Sequence, residues 1–326
     1  MSLNRLRSAA EISSKVKKGD RVALGRAITL VESNSPKDFE LTNELLESIL
    51  PSSGNSIRVG ITGAPGVGKS TFIEGFGMHL INAGKKVAVL SVDPSSSLSS
   101  GSILGDKTRM NNLSRSPHAF IRPSPAGDSL GGVNSKTRET IFLCEAAGFD
   151  VIIVETVGVG QSETNVKSMV DFFLMLAIAG AGDDLQGIKR GIMEMADAIA
   201  VNKADGNNMT RSKLAAKSFE QALHMFPPTS NQWLSKVVTC SALENNGIKE
   251  IWSLILDYER TTKENDFFEW NRSQQHVAWF KSVLKAYLES QFLLDEKKKK
   301  LIDALEEEIL EGKTSVRSAM QQITAL

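Results

Sequence analysis

The sequence predicts an α/β domain with a mostly parallel central sheet flanked by helices, plus helical extensions at both ends. Three observations carry this expectation. From Ser56 to about Tyr258, apolar runs of strand length alternate with segments of helical spacing, the signature of strands joined by right-handed crossover helices. Between the first such run and the first helix lies Gly63-Ala64-Pro65-Gly66-Val67-Gly68-Lys69-Ser70, which matches the phosphate-loop pattern G-x-x-x-x-G-K-[ST]. Both ends of the chain carry apolar residues at helical spacing without a strand signal. The expected division is a helical N-terminal extension over 1–55, a P-loop NTPase domain over 56–260, and a helical C-terminal extension over 261–326.

The N-terminal part reads as helices over Asp20–Glu32, with Val22, Leu24, Ala27, Ile28 and Val31 on one face, and over Phe39–Leu50. Pro51 to Asn55 reads as the linker into the first strand, Ile57–Ile61. In the loop that follows, Gly63, Gly66 and Gly68 let successive N–H groups turn toward phosphate oxygens. Lys69 would reach the outer phosphates, the Ser70 hydroxyl would take a place on Mg²⁺, and Thr71 opens the helix expected over Thr71–Ala83.

The next strand, Lys86–Val92, ends at Asp93, where ligands of open α/β sheets bind. A Ser- and Gly-rich stretch leads to Asp106, which could also cap a helix. A helix is expected over Val133–Ala147, then the strand Val151–Val154 ending in Glu155, followed by Gly158. In most GTPases this third motif is DxxG; here glutamate replaces the aspartate. Asp93, Asp106 and Glu155 form an acidic set for Mg²⁺, one of them able to order the attacking water, and the Gly158 amide would sense the γ-phosphate. Val159 stands where Ras-like proteins carry the water-orienting glutamine, so unassisted hydrolysis is expected to be slow.

Leu174–Ile178 reads as a strand, and Ala179-Gly180-Ala181-Gly182 as a run unsuited to a helix. Ala196–Val201 is another strand, ending in Asn202-Lys203-Ala204-Asp205, an NKxD motif. A carboxylate at Asp205 accepts from guanine N1–H and N2–H together, whereas adenine presents a lone pair at N1. Such a site discriminates by ~10⁴–10⁵ when the wrong ligand leaves a buried polar group unpaired. Lys203 would lie along the base and Asn202 would brace the loop. A helix over Met209–His224 and a strand at Lys236–Val238 lead to Thr239-Cys240-Ser241-Ala242-Leu243, where Ser241, Ala242 and Leu243 resemble the SAL loop that closes over guanine. GTP is favoured over ATP.

The tail carries a helix face of Val277, Phe280, Val283, Leu284, Tyr287, Leu288 and Leu293, and a second helix over Leu301–Leu310. The lysine run after Asp295-Glu296, flanked by Glu306 to Glu308, reads as a solvated face and not a docking patch. Lys+Arg and Asp+Glu are both 38, so nothing suggests nucleic acid or an anionic membrane as partner. Cys144 and Cys240 are expected to be buried small apolar groups in a reducing compartment. The four histidines are scattered and there is no CxxC, which demotes metal delivery. Arg5 and Arg7 invite a transit-peptide reading, which Glu11 opposes; the expectation is a cytoplasmic protein.

The segments VDPSSSLSSGSILGDKTRM, ETVGVGQSE, GDDLQGIKRGIMEMAD and VNKADG, in this order, resemble the methylmalonyl-CoA mutase-associated GTPases, the SIMIBI-class MeaB/ArgK type of bacteria and its mitochondrial MMAA relative. The resemblance runs from about residue 17 to 260. It implies a homodimeric, Mg²⁺-dependent GTPase that assists an adenosylcobalamin-dependent acyl-CoA mutase in cofactor loading, protection and reactivation. It also implies that Asp183 to Arg190 form a third switch; many relatives carry Glu where this chain has Asp184. Two alternatives stand beside it: a metallochaperone GTPase for another metalloenzyme, and an ATP-dependent kinase or transport ATPase.

Overall fold

The computed structural model describes residues 8–92, 110–123, 132–156, 162–180, 190–227 and 231–324. It divides into two compact units, Met1–Gln275 and His276–Leu326.

The first unit is built on a seven-stranded sheet of β1 (Ile57–Gly63), β2 (Val87–Val92), β3 (Ala119–Arg122), β4 (Val151–Thr156), β5 (Phe172–Ile178), β6 (Ala198–Asn202) and β7 (Lys236–Thr239). Their spatial order is β3-β2-β4-β1-β5-β6-β7, and all six pairings are parallel. The expected fold class is therefore met, with every pairing parallel. β1, β2, β4 and β6 are buried along their whole length, because helices cover both faces; this is why they read as continuous apolar runs and not as alternating ones.

Period-two alternation separates the two cores. Val59, Ile61, Val89, Ile153, Phe172, Leu174 and Ala200 face the helices Lys69–Asn82 and Ile248–Glu264. Met175, Ala177, Ile199 and Val201 face Arg190–Met195 and Met209–Leu223. In the first core Tyr258 meets Phe172 edge-on at 5.1 Å and Trp233 at 5.3 Å between ring centroids, an arrangement favoured by the ring quadrupoles.

At the N-terminus, Ala9–Lys17, Arg21–Glu32 and Pro36–Ile49 form a helical layer against the helix Gly132–Ala146. Asp20 is the cap of the second of these, accepting from Val22 N and Ala23 N, as its residue type favours. The helix expected from Phe39 starts earlier, at Pro36, where proline suits the first turn. The expected linker opens with a short 3-10 turn, Leu50–Ser52.

The amino ends of the strands are closed by a buried charge network. Arg58 Nε and Nη2 donate to Glu145 at 2.8 and 3.0 Å, and Glu145 also accepts from Gly54 N and Ser56 Oγ. Arg272 grips Asp171 through Nε at 2.7 Å and Nη2 at 2.6 Å, and donates to the Gly54 and Ser56 carbonyls, each at 2.6 Å. Such pairs add little net stability when whole, but removing one partner costs about 3–5 kcal/mol because the other charge stays buried.

The second unit begins within the helix Phe267–Leu294 and continues through Glu296–Leu310 and Val316–Thr324. Asp295 caps the middle helix through Lys297 N and Lys298 N, and Lys297, Lys299 and Lys300 are exposed, as expected of a solvated face. Phe280, Tyr287, Leu288, Leu310 and Val316 are at least half exposed. No helix among the described residues is long and apolar enough to cross a membrane.

Candidate nucleotide site

The site forms at the carboxyl end of β1, the central strand, where ligands of parallel sheets bind. Gly63 has φ of 152°, and a Cβ there would lie 2.6 Å from the Leu176 carbonyl. Only glycine lets the chain leave β1 this close to β5. Gly68, at φ 97°, is the cap of the helix Lys69–Asn82, and no side chain caps that end. Its first N–H groups are left for an anion, in the field of the helix dipole. Ala64, Pro65 and Gly66 are exposed and Val67 is buried, anchoring the loop between them. Lys69 Nζ donates to the Gly63 carbonyl at 2.7 Å, folded back across the loop. Ser70 is half-buried and Thr71 exposed on the first helical turn.

The expected base motif is physically tied to this loop. Asn202, only 1% exposed, donates from Nδ2 to the Val67 carbonyl at 2.9 Å and accepts at Oδ1 from Ala242 N at 3.0 Å. One amide thus joins the phosphate loop to the loop after β7. Lys203 takes the left-handed conformation, φ 60°, uncommon for a side chain of its kind. It is held there by Nζ donating to the Gly66 carbonyl at 2.8 Å and by its own carbonyl accepting from Asn208 Nδ2 at 2.7 Å.

Asp205 accepts from Ser241 Oγ at 2.5 Å, and the same hydroxyl accepts from Glu244 N at 3.1 Å. Ser241 and Asn246 exchange backbone hydrogen bonds, which close the loop on itself. Ala242 is buried; Leu243 is 79% exposed. Cys240 lies beside Asn202, and burial pushes its thiol up to about 12, so it stays protonated and unreactive near neutral pH. Cys144 is buried too, its thiol shifted upward mainly by desolvation.

Glu155 is 4% exposed at the end of β4, with its Cα in register with Ile61 of β1 and Ser91 of β2. Next to it, Thr156 Oγ1 donates to Thr62 Oγ1 at 3.0 Å, tying the ends of β4 and β1. The donors present here, a hydroxyl at Ser70 and a carboxylate at Glu155, are hard oxygen groups of the kind Mg²⁺ prefers. Asp93, Asp106 and Gly158, and the segment Asp183 to Lys189, lie outside the described residues. Among the described residues no three His, Cys, Asp or Glu side chains gather into a metal site.

Two supports escaped the sequence reading. Asn208 holds the Lys203 carbonyl, and Glu74, on the phosphate-loop helix, binds the amides of Asn112 and Leu113; no motif marks either one. A separate cavity of about 830 Å³, lined in part by Met193, Leu223, Phe226 and Trp233, contains none of the nucleotide residues.

Known proteins extend the geometry. The family described as "Methylmalonyl Co-A mutase-associated GTPase MeaB" matches residues 24–297. The chain is 53% identical over 272 residues to GTPase ArgK of Escherichia coli (strain K12), covering 83% of this chain and 82% of that one. It is 41% identical over 308 residues to a mitochondrial methylmalonic aciduria type A homolog of Mus musculus, covering 91% of this chain and 74% of that one. Among solved structures, a LAO/AO transport system kinase superposes with a TM-score of 0.81 at 41% identity, covering 99% of both chains.

Proposed function

This chain belongs to the methylmalonyl Co-A mutase-associated GTPase MeaB family and is a GTPase, and we propose that its GTP hydrolysis serves an adenosylcobalamin-dependent acyl-CoA mutase. The observation that carries the nucleotide assignment is Asn202. Its one buried amide spans the Val67 carbonyl and the Ala242 amide, so a phosphate site and a base site are held at a fixed separation, as a nucleoside triphosphate requires.

In this reading the open N–H groups of the phosphate loop and of the first turn after Gly68 bind the β- and γ-phosphates. Lys69 leaves the Gly63 carbonyl for the phosphate oxygens. Asp205 accepts from guanine N1–H and N2–H while Ser241 keeps its carboxylate oriented. Lys203 lies along the base plane and Ala242 and Leu243 border it. Ser70 and Glu155 would hold Mg²⁺, with Asp93 and Asp106 completing the acidic set. The ion would neutralise charge building on the transferred phosphoryl group. Gly158 would read the γ-phosphate, and one of the acids would orient the attacking water.

The family description supports a mutase as client. Phe280, Tyr287 and Leu288 of one helix, and Leu310 and Val316 beyond it, are each at least half exposed, which supports a homodimer that buries them, as the resemblance to the family implies. The proposed organisation keeps a GTPase domain over 56–260 between the two helical extensions.

The test is GTP turnover by the purified protein, alone and with an adenosylcobalamin mutase from the same source. Slow turnover that rises strongly with the mutase is expected. Confirmed GTP binding without any response to the mutase would refute the client assignment, and ATP displacing bound GDP as well as GTP does would refute the guanine site.

A further inference from the structure

We infer that Asn208 is a positioning residue that sets specificity for the guanine base, an assignment that rests on the nucleotide reading above. Asn208 stands just before the helix Met209–Leu223, where an asparagine side chain ordinarily accepts from the first open N–H groups. Here it makes no such cap. Its Nδ2 turns the other way and donates to the Lys203 carbonyl at 2.7 Å. The same nitrogen lies 3.4 Å from the hydroxyl of Ser212, which is fully buried on that helix. The side chain thus serves the base motif and not its own helix.

The bond has a defined mechanical effect. The Lys203 carbonyl and the Ala204 N–H are opposite edges of one planar peptide. Ala204 N donates to the Cys240 carbonyl at 2.9 Å, and Asn208 Nδ2 holds the other edge. A peptide gripped on one edge can rock about that bond; gripped on both, its tilt is set. This plane joins Lys203, left-handed at φ 60°, to the residue before Asp205. A side chain of this kind keeps such a conformation only where contacts impose it. Releasing the carbonyl lets Lys203 relax and turns the chain that carries Asp205.

Asp205 is bracketed by the same residue. Asn208 N donates to the Asp205 carbonyl at 2.9 Å, while Ser241 Oγ holds the Asp205 carboxylate at 2.5 Å. Reading guanine requires that carboxylate to meet N1–H and N2–H together, a paired geometry that tolerates little rotation. Hypoxanthine, which offers N1–H without the 2-amino group, makes a single bond and is more forgiving of tilt. Asn208 touches no part of the nucleotide in this account. Its loss should therefore weaken the reading of the base more than the grip on the phosphates, which Gly63 to Ser70 supply.

Two full-length variants separate this role from helix capping. Asn208→Ala removes the amide altogether. Asn208→Asp keeps the shape and the capping capacity, which the two residue types share, but sets a carboxylate oxygen against the Lys203 carbonyl. Both keep the backbone bond to Asp205. Titration calorimetry with GDP, inosine diphosphate and ADP is paired with GTP turnover. Expected is a fall in GDP affinity of about three- to tenfold in both variants, the worth of one hydrogen bond. The preference for GDP over inosine diphosphate should shrink at least about twofold, with kcat at saturating GTP within about twofold of the parent. Parental GDP affinity in Asn208→Asp would overturn the inference, as would equal losses for GDP and inosine diphosphate. Should Asn208→Ala fail to fold, Asn208→Asp alone decides. A parent that binds GDP no better than ADP would overturn the guanine reading itself; a guanine-selective parent with unaffected variants overturns only the role of Asn208.

Discussion

Replacing Asn202 is the sharpest probe of how the nucleotide site is assembled. In Asn202→Ala the Val67 carbonyl loses a donor at 2.9 Å and the Ala242 amide loses an acceptor at 3.0 Å, both beside a side chain only 1% exposed. Each orphaned buried group costs about 1–3 kcal/mol. Two of them, softened by any water that enters the vacated space, come to about 2–4 kcal/mol. Part of this appears as lost stability and part as lost affinity, because either loop can move to find water. At about 1.4 kcal/mol per decade, 2 kcal/mol is a fall of about 30-fold in GDP affinity. Asn202→Asp should be worse. It keeps the acceptor for Ala242 but turns a carboxylate lone pair toward the Val67 carbonyl, which is repulsive as well as unbonded. The assay pairs GDP titration calorimetry with denaturant unfolding of the apo protein. Parental values in both for Asn202→Ala, or a milder defect in Asn202→Asp, would refute the bridging role.

Further outcomes follow from other contacts. Lys69→Ala should abolish GTP turnover with an unchanged circular dichroism spectrum, since Lys69 donates to the Gly63 and Ala64 carbonyls of its own loop and lies outside the core. Asp205→Asn should erode the preference for GTP over ATP, because its amide sets a donor against guanine's donors; competition binding checks this. Gly68→Ala should destabilise the loop by about 1–2 kcal/mol: its φ is 97° and the new methyl would meet Asn202 Nδ2 at 2.8 Å, so melting temperature and GDP affinity fall together. Glu139 is held at about 7 by burial, against a weaker opposing pull from Lys136, and its Oε2 has no hydrogen-bond partner among the described residues. The folded state therefore keeps this proton between about pH 4.5 and 7 while the unfolded chain has released it, and stability falls as pH rises through that window. Glu139→Gln should flatten that slope, gaining on the order of 1–3 kcal/mol at pH 8; an unaltered slope in unfolding titrations would count against it.

The parts of this molecule legible in sequence are those where one local rule acts alone. β1, β4 and β6 announce themselves as unbroken apolar runs because both their faces are covered. The phosphate loop and NKxD are contiguous, so their spacing is their signal. The strand expected over Leu174–Ile178 begins two residues earlier, at Phe172, directly after Asp171, whose carboxylate is held by Arg272. β3 carries no strand signal of its own. Its four residues include Phe120 and Ile121, only partly buried on the sheet edge, and four residues cannot establish a period. Glu74 was invisible for a different reason: its acceptors serve amides 38 and 39 residues away, and a helical glutamate has the same local sequence context whether it caps a distant helix or faces water. The exposure of Leu243 is likewise a property of the folded loop and not of its tripeptide.

The Arg272 clamp has a consequence for how this protein is made. The carbonyls of Gly54 and Ser56 wait for a guanidinium 218 and 216 residues downstream, and Asp171 waits 101 residues for the same group. Until translation passes Arg272, the root of the central strand carries a buried carboxylate with no cation and two carbonyls with no donor. A nascent chain released at residue 260 would hold every nucleotide-contacting group proposed above and still lack the piece that seals the bottom of its sheet. Long-range closure of this kind slows folding and prolongs exposure of half-formed sheet. Only when the first turns of the Phe267–Leu294 helix are free to pack can the foot of the sheet gain its cation and its donors.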